Sequence, residues 1–280
     1  MSSIQLKEWI GRKEESADRI YPTPVRAFAL TLNDRSFEPA EGAKLPELWH
    51  WLYFLPLVAM EEIGADGHPK RGGFLPPVTL GRRMWANGRY KFHHDLFVGE
   101  EIRKTSEITD IAEKTGRSGE MVFVTLRHLI HSDRGVAVEE QQEIVYIATP
   151  KKYAPPEPKS LPQDLEWKEP YPVGPVLLFR FSALSFNGHR IHYDWRYATE
   201  LEKYPGILVH GPLQALLLLE TAKRKHPGRR PASFAFRSIH PIFEFDDLSL
   251  CGREEPTGGC DLFTANREGH IGTEARVSWK

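Results

Sequence analysis

Cysteine is scarce in this sequence of 280 residues, which contains only Cys251 and Cys260. The two do not form a Cys-x-x-Cys pair, so the sequence gives no support for a zinc knuckle. A disulfide-rich scaffold is also excluded, because a chain of this length builds its core without such bonds. The first twenty residues carry charges throughout and lack the apolar stretch of a secretion signal. We therefore expect a soluble protein of the reducing cytoplasm.

Long apolar runs and an excess of one charge are also missing. No run reaches the roughly 18–20 apolar residues that cross a bilayer, and the formal net charge is −1. We therefore expect neither a membrane nor a nucleic acid as a partner. Hydrophobic residues make up 40% of the chain, which is enough to bury the core of one large domain or of two smaller ones.

Three motifs that would identify an enzyme class are absent. The chain has no Gly-x-x-x-x-Gly-Lys loop for phosphates, no Gly-x-Ser-x-Gly nucleophile elbow and no Gly-x-Gly-x-x-Gly turn between a strand and a helix. The sequence therefore gives no support for a kinase, a serine hydrolase or a Rossmann-type dehydrogenase.

Two similar halves joined by a linker account for most of the chain. Residues 1–150 contain a meander of strand-like stretches, and residues 151–172 are rich in proline and charge, as linkers are. Residues 173–280 begin a second module. HDLFVGEEI in the first half is similar to HPIFEFDDL in the second. This predicts a duplicated α+β unit, in which an antiparallel sheet wraps around one central helix.

Three segments have the apolar pattern of helices. Residues 6–20 show helical spacing, and residues 45–63 are densely apolar and aromatic, which predicts a buried helix that is broken at Pro56. ILVHGPLQALLLLETAKRKHP predicts an apolar helix with basic residues near its end, where they complement the helix dipole.

The most distinctive stretch is FRFSALSFNGHRIHYD, residues 179–194. His189 and His192 lie three residues apart, which suits two metal ligands on one helical face, but no independent third ligand accompanies them. Histidine also titrates near neutral pH and takes a proton from water, which Asn187 is able to position but not to deprotonate. A solvated loop rich in histidine is the third interpretation, and the motif by itself leaves all three open.

Proton transfer of this kind needs a group that stabilises the developing negative charge. Gly211 immediately precedes Pro212 at the predicted helix start, where backbone N–H groups and the helix dipole stabilise an oxyanion. An ordinary turn that begins a core helix fits the same residues.

Basic residues follow the Gly/Pro-rich loop GADGHPKRGGFLPPV. Arg82 and Arg83, together with Arg89 and Lys91, suit a phosphate-bearing ligand such as coenzyme A. They suit a solvated strand face equally well.

The stretch FSALSFNGHRIHYDWRYA resembles the signature of the R-specific enoyl-CoA hydratases and MaoC-like dehydratases. His192 falls on the catalytic histidine of that family, and Asn187 falls five residues earlier, where the family has its catalytic aspartate. His189 takes the usual asparagine position and Arg190 the usual proline position. VHGPLQAL resembles the turn that opens the central hot-dog helix, so Gly211 would supply the N–H of the oxyanion hole.

This resemblance covers nearly the whole chain and implies an α+β double hot-dog fold, with two antiparallel sheets each wrapped around a central helix. Residues 1–150 resemble the degenerate N-terminal module of the mesaconyl-CoA and itaconyl-CoA hydratase branch, and residues 173–280 carry the motif. Two such modules in one chain imitate the usual hot-dog dimer, so both a monomer and a homo-oligomer are compatible with the sequence.

A hydro-lyase without a metal or a separate cofactor is what the resemblance implies, since coenzyme A is part of the substrate. His192 would be the principal acid/base, Asn187 would orient the water, and His189 or Asp194 would be an auxiliary. The candidate substrate-binding residues are Arg190, Asp194, Arg82 and Arg83. The expected substrate is itaconyl-CoA or mesaconyl-CoA, hydrated to citramalyl-CoA, with Arg190 a candidate for pairing with the free carboxylate.

Three alternatives to this function stay open. A 3-hydroxyacyl-thioester dehydratase of fatty-acid synthesis would use the same site and differ in the length of the acyl tail. A hot-dog thioesterase usually has a carboxylate on the central helix, where this chain offers only Gln214. A non-catalytic acyl-CoA-binding protein would give His192 no chemical role.

Overall fold

Helices and antiparallel strands are both present in the computed structural model, which describes residues 3–116 and 119–280 and confirms the predicted α+β class. The α-helices of these ranges are α1 (Ser3–Lys7), α2 (Pro22–Thr31), α3 (Pro175–Leu184) and α4 (Gly211–Lys225). Short helical turns lie at Trp49–Leu52, Met60–Glu62, Arg190–His192 and Tyr197–Leu201. None of the helices in this described part is long and apolar enough to cross a membrane.

The strands carry the alternating burial of a sheet that covers a core on one face. In β4, Val122, Val124 and Leu126 are buried and their neighbours are more exposed, because successive side chains of a strand point to opposite faces. The strands are β1 (Lys13–Arg19), β2 (Arg82–Phe92), β3 (Glu101–Gly116), β4 (Gly119–Ser132), β5 (Gly135–Ile147), β6 (Trp167–Pro170), β7 (Pro231–Ser238), β8 (Ser249–Glu254), β9 (Cys260–Ala265) and β10 (Ile271–Trp279).

The chain divides into two compact units. The first, here called the N-terminal unit, consists of Met1–Met84, Phe92–Thr149 and Arg180–His189. The second, here called the C-terminal unit, consists of Trp85–Lys91, Pro150–Phe179 and Arg190–Lys280.

Each unit thus contains a short segment from the other half of the sequence. The module boundaries expected from the sequence, 1–150 and 173–280, stay a prediction about the duplicated repeat.

Antiparallel strands in the order β1-β3-β4-β5 form the sheet of the N-terminal unit. Ile111 and Ile144 flank Val124 in register and pack with it into one apolar cluster. Phe28 of α2 lies edge-on against Trp49, with ring centroids 4.8 Å apart, and 5.9 Å from the ring of Phe181 in α3. Aromatic side chains of three helical segments, α2, α3 and the turn at Trp49–Leu52, therefore pack together in the core.

Two helices predicted for the first half are wrong. Residues 45–63 contain only the short turns Trp49–Leu52 and Met60–Glu62, because Leu48 and Phe54 adopt left-handed backbone angles with φ of 70° and 55°. Within residues 6–20, the segment predicted to continue the helix forms β1 instead, which pairs with β3 over its whole length. Pairing with a long neighbouring strand has overridden the local helical spacing.

The C-terminal unit wraps a sheet around α4, as predicted. Its strands lie in the order β2-β7-β10-β9-β8-β6, and β2 contributes through residues 87–91, which pair with β7. Leu213, Leu216 and Leu218 of α4 are almost completely buried. The helix begins with Pro212 at its first turn and ends in three basic residues, which complement the partial charge of its last carbonyl groups.

Candidate active site

A tight turn after α3 presents Asn187. Phe186 adopts a left-handed φ of 51°, and the N–H of Asn187 donates a hydrogen bond to the carbonyl of Ser182 at 2.8 Å. The side-chain oxygen of Asn187 accepts the N–H of His189 at 3.0 Å, which closes an Asx turn. Among the described residues no acceptor pairs with the side-chain NH₂ of Asn187, so this donor is available for a water oxygen.

His192 is held in one tautomer. Its Nδ1 lies 2.9 Å from the carbonyl oxygen of Leu208, and a carbonyl only accepts, so Nδ1 carries the proton. In the neutral ring Nε2 then carries the basic lone pair, which is the atom that a general base uses. The residue is 8% exposed, so its ring is shielded from bulk water.

His210 stacks on His192, with ring centroids 3.6 Å apart and an interplanar angle of 20°. Burial lowers the pKa of His210 well below its usual value, and the neighbouring His192 lowers that pKa further. His210 is therefore neutral near pH 7 and stabilises the orientation of His192 by packing. From the sequence, His210 was expected only to precede the helix.

Gly211 begins α4 directly beside this stacked pair. No acceptor in the described part of the chain takes the N–H of Gly211, and the residue that follows is a proline without an N–H. A Cβ atom at this position would lie 2.9 Å from Oγ of Ser238, so a larger residue would disturb the contact with β7. The C-terminal unit thus brings His192 and the predicted oxyanion-binding N–H together.

Arg190 and Asp194, two predicted binding residues, pair with each other. Nε and Nη2 of Arg190 donate to the same oxygen of Asp194 at 3.0 and 2.7 Å, and the guanidinium lies 4.4 Å from the ring centroid of Tyr197. The backbone N–H of Tyr197 and the Arg190 guanidinium lower the pKa of Asp194. Asp194 already compensates the charge of Arg190, and a role of either residue in substrate binding stays a prediction.

Arg82 and Arg83 do not belong to a solvated strand face. Each is 8% exposed, whereas Arg89 and Lys91, further along β2, are exposed. Buried arginines are unusual unless a partner or a ligand compensates the charge. Substrate binding by Arg82 and Arg83 stays a prediction that burial favours over the solvated alternative.

Asp66 and His68 form a hydrogen-bonded pair in the Gly/Pro-rich loop. Neither residue was predicted from the sequence to belong to the site. The N–H and Nδ1 of His68 lie 3.1 and 3.2 Å from the two carboxylate oxygens of Asp66. Burial raises the pKa of Asp66, but the hydrogen bonds of His68 and the charge of Arg83 outweigh it and hold that pKa at about 2. Burial lowers the pKa of His68. Near pH 7 the carboxylate is therefore ionised and the imidazole neutral.

Two turns of similar sequence contact each other in the N-terminal unit. They are Asp66-Gly67-His68, here called the 66–68 turn, and Asn187-Gly188-His189, here called the 187–189 turn. The ring centroids of the two histidines are 4.3 Å apart. A Cβ on Gly188 would lie 2.3 Å from the carbonyl oxygen of Gly67, so the backbones approach as closely as only glycine permits. The two turns share the pattern Asx-Gly-His, which is visible in the sequence but does not by itself predict that they touch.

Metal binding by His189 and His192 was one interpretation of the motif. Across residues 3–116 and 119–280, no group of three or more histidine, cysteine, aspartate or glutamate side chains lies close enough to hold a metal ion. His192 directs Nδ1 at the backbone carbonyl of Leu208, and the ring of His189 lies against that of His68.

Comparison with known proteins extends this picture. The family model described as hydroxyacyl-thioester dehydratase type 2 matches residues 48–244. The mesaconyl-C(4)-CoA hydratase of Chloroflexus aurantiacus is 43% identical over 280 residues, which cover 99% of each chain.

Solved structures agree on the fold. A MaoC-like dehydratase from Phytophthora capsici superposes with a TM-score of 0.69 at 11% identity, covering 100% of this chain and 99% of that one. A conserved hypothetical protein from Mycobacterium tuberculosis, described as a double hot-dog, has a TM-score of 0.56 at 13% identity, covering 96% of both chains. The predicted double hot-dog fold is confirmed.

Fold and sequence similarity define a hydro-lyase of the MaoC-like, double hot-dog class, as the motif predicted. Within that class, the chain belongs to the hydroxyacyl-thioester dehydratase type 2 family.

Proposed function

We propose that this chain adds water reversibly to a short unsaturated dicarboxylic acyl-CoA thioester, mesaconyl-CoA or itaconyl-CoA, and forms citramalyl-CoA. The observation that carries the proposal is the arrangement of His192 beside Gly211: an imidazole with a fixed tautomer lies next to a helix start whose first N–H is unpaired. Similarity to a mesaconyl-C(4)-CoA hydratase over the whole chain supports the dicarboxylic acyl group.

Water is activated by His192 in this mechanism. Its Nε2 accepts a proton from the water, and the Nδ1 hydrogen bond to Leu208 persists when the ring becomes positively charged. Asn187, five residues earlier in the chain, orients the water through its NH₂ group, since the amide oxygen is occupied by His189. The amide itself takes no proton, so the acid/base work falls to His192.

The oxyanion is stabilised at the start of α4. The Gly211 N–H and the dipole of the fifteen-residue helix polarise the thioester carbonyl of mesaconyl-CoA, which is conjugated with the double bond, so that the β-carbon accepts the hydroxyl group. The methylene double bond of itaconyl-CoA must first move into conjugation, by loss of a proton from the α-carbon and addition of a proton to the methylene carbon. The π electrons move to the thioester oxygen as an enolate, and the imidazolium of His192 then returns the proton to the α-carbon. General acid/base catalysis and oxyanion stabilisation each contribute about 3–5 kcal/mol to such reactions.

A second candidate is the dehydration of a 3-hydroxyacyl thioester with a longer tail, which the description of the matching family favours. This dehydration would use the same residues in the reverse direction. The two candidate functions therefore differ only in the acyl group that the site prefers. The thioesterase alternative has less support, because Gln214 is occupied: its side-chain oxygen accepts the hydroxyl groups of Thr264 and Thr273 at 2.6 and 3.1 Å.

Incubation of the protein with mesaconyl-CoA, itaconyl-CoA and crotonyl-CoA, followed by mass spectrometry, tests the proposal. We expect the mass of one water to be added to a dicarboxylic thioester, and this activity to be lost in His192→Ala. A matched control is His93→Ala, since His93 is a surface imidazole 3.8 Å from Glu139. Turnover of crotonyl-CoA alone would favour the fatty-acyl alternative, and release of free coenzyme A without hydration would indicate a thioesterase.

A further inference from the structure

Ser238 ends β7 on the face of the C-terminal sheet that is otherwise buried. Phe234 and Phe236 are almost completely buried, and successive side chains of a strand point to opposite faces, so Ser238 shares the face of these two rings. Ser238 itself is exposed, because it lies at the end of the strand. Its hydroxyl group is therefore on the inner face of the sheet at a point that solvent reaches.

The hydroxyl group of Ser238 lies against the first residue of α4. An ideal Cβ on Gly211 would be 2.9 Å from Oγ of Ser238, so the hydroxyl group fills the space beside this glycine. The ring of His210, the residue before Gly211, stacks on His192. Ser238 thus lies beside the backbone that joins the stacked histidines to the helix, and all four residues belong to the C-terminal unit.

The helix start and the end of β7 are both attached to β10. Oε1 of Gln214, in the first turn of α4, accepts the hydroxyl group of Thr273 at 3.1 Å. Thr273 lies opposite Ser238 in the register of β10 and β7. The N–H of Ile239 then donates to a carbonyl group of β10 at 2.8 Å. These bonds fix the position of Ser238 relative to the start of α4.

Two hydrogen-bond donors at this place have no acceptor within residues 3–116 and 119–280. They are the N–H of Gly211 and the hydroxyl group of Ser238. The hydroxyl proton turns about the Cβ–Oγ bond, so it is able to point at an acceptor that lies beside the N–H. An oxygen atom bound there would receive two hydrogen bonds and the favourable end of the helix dipole, as in an oxyanion hole.

We propose that Ser238 supplies the second donor of the oxyanion hole and binds the thioester oxygen together with the N–H of Gly211. The inference rests on the proposed hydration at this site and adds a catalytic residue to it. When the hydroxyl group adds to the β-carbon, the π electrons move to the thioester oxygen, and the O–H bond of Ser238 stays intact. Hydrogen bonds to a charged oxygen are about twice as strong as those to a neutral one. Ser238 therefore acts mainly on kcat and little on KM.

Acetoacetyl-CoA tests the oxyanion hole without turnover. Its C2 carbon loses a proton to the solvent, and the enolate that forms absorbs in the near ultraviolet and shares its charge with the thioester oxygen. A pH titration of the bound ligand gives the pKa of that C2 proton in the unaltered protein and in Ser238→Ala. The matched control is Ser160→Ala, which removes an exposed serine hydroxyl group of the same unit. We expect Ser238→Ala to raise this ligand pKa by about one unit, a tenfold loss of enolate, and Ser160→Ala to leave it unchanged.

Hydration kinetics give a second measurement. Ser238→Ala should lower kcat about 100-fold with every thioester that the protein hydrates, while KM changes by less than about threefold. Ser238→Thr keeps a hydroxyl group at the same position, so it should restore most of kcat and of the enolate absorption.

An unchanged ligand pKa in Ser238→Ala would overturn the inference, and so would the absence of any enolate in the unaltered protein. Equal losses in Ser238→Ala and Ser238→Thr would overturn it as well, because the effect would then follow the packing beside Gly211. If mesaconyl-CoA and itaconyl-CoA are not hydrated, the proposed function fails. The acetoacetyl-CoA titration still decides the role of Ser238 in that case, since it requires neither turnover nor a dicarboxylic acyl group.

Discussion

The imidazole of His210 stacks on that of His192 at 3.6 Å between ring centroids, and it is kept neutral by complete burial. A second charged ring at this distance would repel the imidazolium that forms when His192 takes a proton. Burial keeps His210 uncharged, so that only His192 gains a charge while the ring of His210 packs against it.

Burial of a neutral His210 predicts that stability falls in mild acid. Its pKa is lowered in the folded state, so the unfolded chain binds a proton from about pH 6.5 downwards while the folded site does not. The stabilisation is present above that pH and is lost below it, by up to about 1.4 kcal/mol per pH unit for each such group.

Urea unfolding of the unaltered protein and of His210→Phe at pH 7.5, 6 and 5 measures this loss. The variant should show a shallower decline of the free energy of unfolding with acid. Parallel curves would contradict the assignment.

Gly188→Ala should damage both stability and activity. The new Cβ would lie 2.3 Å from the carbonyl oxygen of Gly67, which belongs to the backbone and has no rotamer to change. We expect a loss of about 1–3 kcal/mol in the free energy of unfolding and slower hydration, because the 187–189 turn shifts. Gly73→Ala is the matched control, since a Cβ there meets no atom within 4 Å. Similar melting temperatures for the two variants would refute the close contact.

Asn187→Asp and Asn187→Ala should separate the shape of the turn from its chemistry. A carboxylate oxygen also accepts the N–H of His189, so the aspartate variant should keep the turn and a melting temperature near that of the unaltered protein. The alanine variant loses this acceptor as well as the NH₂ group, and its kcat should fall by about 100-fold. Steady-state kinetics would measure kcat for both variants, and thermal unfolding would measure their melting temperatures. Full activity in Asn187→Ala would exclude a role in orienting water.

Gln214→Glu tests the thioesterase alternative directly. The amide oxygen accepts two threonine hydroxyl groups, and the amide nitrogen donates to the carbonyl of Val209 at 3.3 Å. A carboxylate would lose that donor and bury a charge on the central helix, so the free energy of unfolding should fall by about 1–3 kcal/mol. Release of coenzyme A should stay at background. A gain of thioester hydrolysis in Gln214→Glu would support the thioesterase alternative.

The elements that the sequence predicted best are those whose signals are local. The helix from Gly211 was correct because a proline start, an apolar core and a basic end all lie within one segment. The helix predicted for residues 45–63 was wrong, because a high density of aromatic residues indicates burial but does not distinguish a helix from an irregular segment. The left-handed backbone angles of Leu48 and Phe54 interrupt the helix in this segment. Leucine and phenylalanine do not by themselves predict such angles.

Some residues of the candidate site could not be predicted from the sequence, because no local pattern marks them. His192 and Gly211 were found because each lies in a recognisable motif. Asp66 and His68 are far from the motif in sequence, and their loop looked like an ordinary connection rich in glycine and proline. Contact between the 66–68 and 187–189 turns depends on tertiary packing, and the burial of Arg83 became visible only with it.

The exchange of short segments between the two halves has a consequence for any attempt to divide the chain. Arg180–His189 packs with the first half of the sequence, and Trp85–Lys91 packs with the second. One cut in the linker at residues 151–172 would therefore leave each fragment without a segment that its own compact unit contains. A single cleavage at the linker would release neither unit intact.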